Sequence, residues 1–139
     1  MASNYQQQAL MEESIQKVSQ EGGTMSMALV SYSRADASKV LPDLEAGLRA
    51  CSAYKSAGDP DISFEKPEVL PAPKLGDDAI AYRITQVVTD NGTDPVRAPF
   101  AYTVVRKGSV ISWFQAMAFP GQEASIPIEV VKAQVSKLP

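Results

Sequence analysis

The chain has 139 residues, of which 45% are hydrophobic and 21% charged, and its net charge is −3. A single domain of that length buries roughly two thirds of its unfolded surface without a metal or disulfide, and the composition excludes both a disordered chain and the ~20-residue apolar run of a spanning helix. Histidine is absent and cysteine occurs once, which excludes Ser-His-Asp and Cys-His catalysis, His- or Cys-based zinc sites and an internal disulfide.

Along the chain, the first segment, residues 1–23, is ambiguous. Tyr5 to Gln20 holds good helix formers with Leu10, Ile15 and Val18 near one helical face, but a strand ending at Glu21-Gly22-Gly23 fits as well. A single α+β domain is then expected over residues 24–139. Thr24 to Ser33 reads as a strand with apolar groups on both faces, which places it inside a sheet. Asp36 is the expected cap of a helix whose stripe is Val40, Leu44, Leu48 and Cys51, with Pro42 bending its first turns. Ser56 to Pro60 is a turn, and Ile62 to Leu70 is a strand that Pro67 assigns to an edge.

The second half has the clearest period. Ala79 to Val88 and Pro99 to Arg106 alternate strictly, and the turn formers Asp90 to Pro95 between them predict a long antiparallel hairpin. Lys107-Gly108 turns the chain again, and Ser109 to Phe119 returns as a third strand. A helix from near Pro127 presents Ile128, Val131, Val135 and Leu138 on one face. The expected fold is therefore a twisted antiparallel sheet with a C-terminal three-strand meander, packed against two or three helices.

No catalytic constellation emerges. Cys51 lies at the end of an apolar stripe and reads as a core residue, not a nucleophile. The acidic stretches Asp59-Pro60-Asp61, Gly76-Asp77-Asp78 and Asp90 to Asp94 do not have EF-hand spacing and read as turns. Asn91-Gly92-Thr93 fits a glycosylation pattern by letters and a turn by chemistry. The glycines match no phosphate-cradling fingerprint, so no cofactor is expected, and the scattered basic residues argue against nucleic-acid binding.

The third strand is the most suggestive feature. Ile111, Trp113, Met117 and Phe119 share one face, with Val110, Phe114, Ala116 and Ala118 on the other. One face must meet the helices; the second is either covered by the rest of the chain or lines a groove for a small apolar ligand. Met25 and Met27 are the expected neighbours, so the candidate groove residues are Met25, Met27, Ile111, Trp113, Met117 and Phe119.

Thr24 to Ser33, followed by Asp36 to Cys51, resembles the strand and helix pattern of actinobacterial secreted lipoproteins related to PknH-like extracellular sensor domains. Leu75 to Tyr82, Val104 to Ile111 and Ile126 to Leu138 are similar to later blocks of the same group, so the resemblance spans residues 24 to 138. The chain differs from the kinase ectodomains in having no paired cysteines. The resemblance implies an extracytoplasmic α+β domain with a concave cleft and a ligand-binding or sensing role, and it brings no catalytic residues.

The reading is thus a non-enzymatic extracytoplasmic lipoprotein or sensor-like domain that binds a small ligand or cell-envelope component. Its signal segment or membrane tether is expected to lie outside these residues, since no charged-then-apolar leader follows Met1. The alternative is a protein-interaction module that forms a homodimer through the Ile62 to Leu70 edge or the apolar strand face.

Overall fold

The computed structural model describes residues 9–15, 23–90 and 94–139. Seven strands form one sheet: β1 (Ala9–Ile15), β2 (Thr24–Ser31), β3 (Ala53–Lys55), β4 (Ile62–Leu70), β5 (Asp78–Val88), β6 (Val96–Lys107) and β7 (Val110–Met117). Their spatial order is β1-β2-β7-β6-β5-β4-β3, with every neighbouring pair antiparallel. Two helices complete the described residues, α1 (Arg34–Ala50) and α2 (Ile128–Val135). The class is α+β, an antiparallel sheet with helices. No helix among the described residues is long and apolar enough to cross a membrane.

The ambiguous first segment is a strand where it is described: Ala9 to Ile15 pairs with Ser31 to Met25. The remainder of the 1–23 segment lies outside the described residues, as does Asn91-Gly92-Thr93.

Helix α1 carries the chain from β2, second in the sheet, to β3 at the far edge. Five interstrand spacings of about 4.8 Å make about 24 Å, and a 17-residue helix rises about 25 Å, so the helix is long enough for that crossing. It starts at Ser33, not at Asp36: the Ser33 hydroxyl accepts a 3.1 Å hydrogen bond from the Asp36 amide. Asp36 occupies the first turn, where its charge favours the positive end of the helix dipole. Pro42 is in the helix interior, beyond the first turns, on the exposed side. The Ser38 carbonyl opposite it therefore has water available in place of the missing amide.

The helix ends one residue before its apolar stripe does. Cys51 is the C-cap, with extended backbone at φ −118° and ψ 140°, and this turn sends its side chain out to solvent. Cys51 is thus not part of the core. The chain then forms β3, a strand too short to show a period. Because Tyr54 pairs with Phe64, β4 is not the outermost strand. Only Ser63 to Glu65 is covered, however, and Pro67 to Leu70 has no strand beyond it among the described residues.

The two faces of the sheet follow from alternation. Val30 on β2, Ile80, Tyr82 and Ile84 on β5, Phe100 and Val104 on β6, and Ile111 on β7 form a core with Ala37, Val40, Leu41, Leu44 and Leu48 of α1. The opposite face carries Met25, Met27, Val105 and Phe114 against Val131 and Val135 of α2. Beside them Ala101, Ala116, Ala118 and Ala124 make a second patch of small residues. Arg83 pairs with Glu123 and so ties the connection between β7 and α2 to the sheet.

Candidate functional site

The six candidate groove residues do not come together. Met25 stands opposite Ala116 and Met27 opposite Phe114, so both methionines lie on the α2 face and are buried there. Ile111, Trp113 and Met117 point to the α1 face. Ile111 is fully enclosed, whereas Trp113 and Met117 remain half-buried. The third strand ends at Met117, two residues short of the expected Phe119, which lies past it and is 57% exposed. Antiparallel register decides this division, because cross-strand partners share a face.

Of the six, Trp113 lines an aromatic cavity. Between the C-terminal half of α1, the hairpin of β3 and β4, and the sheet lies a space of about 350 Å³ walled by Tyr54, Phe64, Tyr82, Tyr102 and Trp113. Leu44, Leu48 and Ile84 complete the apolar wall, and Lys55, Ser56 and Ala57 form the rim. Each aromatic arrives by register: Tyr82 faces Tyr102, and Tyr54 faces Phe64. The Tyr82 and Tyr102 rings stack at 4.8 Å and 10°, and Phe100 continues the row at 6.3 Å and 17° from Tyr102. Such offset pairs favour a flat, ordered wall.

Phe64 and Val69 both pack on the α1 side, although they are five positions apart, an odd spacing that puts residues of a regular strand on opposite faces. A bulge makes this happen. The register shifts between Glu65 and Glu68, where Lys66 adopts φ +54°, and the extra residue returns the second half of β4 to the same face.

The polar groups of the lining side chains are three phenols, the Lys55 amine, the Ser56 hydroxyl and the Trp113 indole N–H. The Tyr54 hydroxyl donates to the Gly47 carbonyl at 2.7 Å, fastening β3 to α1. Its pKa lies above the ordinary phenol value, mainly through burial and then through the neighbouring Cys51. Burial also pushes Tyr102 up to about 12. It pushes Tyr82 further still, with smaller contributions from Tyr102 and Tyr54. Both are therefore neutral donors near pH 7. Neither hydroxyl has a hydrogen-bond partner among the described residues, and Tyr82 is only 6% exposed. Lys55 is the only charged residue of the lining and forms no ion pair among the described residues.

Two of the acidic stretches serve turns, and the third, Asp90 to Asp94, lies partly outside the described residues. Asp59 accepts from the Asp61 amide at 2.9 Å. Asp77 accepts from the Gly108 amide at 2.7 Å and pairs with Arg106 at 3.3 Å, clasping the turn between β6 and β7. A wider depression of about 550 Å³ near Cys51 shares Leu48 with the aromatic cavity but is walled by Arg49, Ser52, Lys66 and Pro67. It offers no aromatic surface.

The sequence reading missed Tyr54, Phe64, Tyr82 and Tyr102. A usable signal existed for two of them, since a hairpin closing on the turn at residues 90–95 sets Tyr82 across from Tyr102. No protein family matches the chain, and comparison with curated proteins and with solved structures finds no match.

Proposed function

We propose that this chain is a non-enzymatic extracytoplasmic domain, lipoprotein- or sensor-like, that holds a small apolar ligand or cell-envelope component in the aromatic cavity beside α1. The observation that carries the reading is the cavity itself: five aromatic side chains converge on a space of about 350 Å³, the size and character of a small-molecule site. The location outside the cytoplasm rests on the resemblance of residues 24 to 138 to secreted lipoproteins. Nucleic acid is not a partner in this reading, because the cavity has a single cation at its rim.

The test uses N-phenyl-1-naphthylamine, a neutral apolar dye. Trp113 is the only tryptophan and lines the cavity, so its emission reports occupancy directly. Saturable dye binding with matched quenching of Trp113, abolished by Ala57→Phe at the rim, is the expected result. An absence of binding, or binding that Ala57→Phe leaves untouched, would sink the proposal.

A second reading draws on Val96, 54% exposed, and Phe119, 57% exposed, which lie at the same end of the antiparallel β6 and β7. They would give a protein-interaction or homodimer surface, detected as concentration-dependent sedimentation that Phe119→Ser removes.

A further inference from the structure

Resting on the cavity reading above, we propose that the ligand is a planar aromatic carboxylate. Three observations specify it. The Phe100, Tyr102 and Tyr82 rings run nearly parallel across β6 and β5, and Trp113 and Tyr102 share the cavity wall, so the surface on offer suits a flat ring. Tyr82 is only 6% exposed, and its hydroxyl has no protein partner among the described residues but is not sealed from the cavity that the residue lines. A ligand that displaces solvent there leaves this donor unpaired unless it brings an acceptor, which favours a carbonyl or carboxylate oxygen.

The third observation is charge. Lys55 stands at the rim as the only charged lining residue and is not engaged in an ion pair among the described residues. A ligand with its ring against Tyr102 and Trp113 would direct its anionic group toward the Tyr82 phenol and Lys55. A neutral sugar fits less well, because the lining has no carboxylate, amide or guanidinium to satisfy several hydroxyls.

Displacement of N-phenyl-1-naphthylamine from the full chain by 2-naphthoate, 2-naphthamide and decanoate separates the possibilities. The acid should displace the dye at the lowest concentration. Lys55→Gln should narrow its advantage over the amide by roughly two- to fivefold, the effect of one solvent-screened charge pair. Tyr82→Phe should weaken 2-naphthoate about tenfold and the dye, which lacks an acceptor oxygen, distinctly less. Equal displacement by acid and amide, or stronger displacement by decanoate, would overturn the ligand class while the dye still binds. Failure of the dye itself to bind would instead remove the cavity reading beneath it.

Discussion

The two faces of the sheet are built from different side chains and closed to different degrees. On the α2 face, methionines, valines, alanines and Phe114 fill the space, and Phe114 is fully enclosed. On the α1 face, the aromatic side chains Tyr102 and Trp113 stay half-buried beside the cavity. The shorter helix seals its side because small and flexible side chains pack into what it leaves. The longer helix leaves part of its side open because rigid rings cannot collapse into the remaining volume. The open cavity and the more completely filled packing thus lie on opposite sides of one layer of backbone.

That contrast is open to direct attack. Phe114→Ala should lower the unfolding free energy by about 3–5 kcal/mol, the usual loss for a fully buried ring. Its neighbour in β7, Trp113→Ala, should cost less, roughly 2–3 kcal/mol, because that ring is only partly enclosed and borders the cavity. Urea unfolding of the two variants gives the comparison, and equal losses would mean that the α1 face is as tightly closed as the other.

An alkaline titration sharpens it further. All the described tyrosines, Tyr32, Tyr54, Tyr82 and Tyr102, lie on the α1 side. Tyr102 has its pKa raised in the folded state to about 12, and Tyr82 is raised more, against about 10 in the unfolded chain. A raised folded value means that the folded state keeps its proton longer. The associated stability is present below about pH 10 and is lost as pH climbs toward 12 and beyond. The urea midpoint should fall over that range and fall less in Tyr102→Phe, and a flat profile to pH 11.5 would contradict the assigned burial.

The smallest effect is expected at Cys51. Exposed at the C-cap, it should react fully with a thiol reagent in the native protein, and Cys51→Ser should change stability by less than about 0.5 kcal/mol. A protected thiol would return Cys51 to the core.

These outcomes bear on what a single sequence can disclose. The alternation from Ala79 to Val88 and from Pro99 to Arg106 reveals strands, because a period of two needs only local order. The same alternation says which residues share a face within a strand, but not which face of its neighbour they join. For that reason the sequence pattern places Met25 and Met27 beside Trp113, whereas the pairing of β2 with β7 sets them on the opposite side. Cys51 was grouped with Leu48 because helical spacing carries no sign of where the helix stops. Three residues, Ala53 to Lys55, hold too little pattern to announce a strand, and with them went Tyr54 and the rim of the cavity. Trp113 was legible as a candidate; its aromatic company was a product of tertiary register.

The bulge in β4 has a consequence for how this protein could vary. Lys66 and Pro67 divide the strand into two half-strands with independent phase. Removing one residue there would make the ladder continuous but would turn one half over, exchanging Phe64 or Val69 for its solvent-facing neighbour. Pro67 has no amide hydrogen with which to rejoin the ladder. The wall of the cavity therefore depends on a count of residues as much as on their identity, and two chains could share every aromatic side chain here and yet differ in whether the cavity exists.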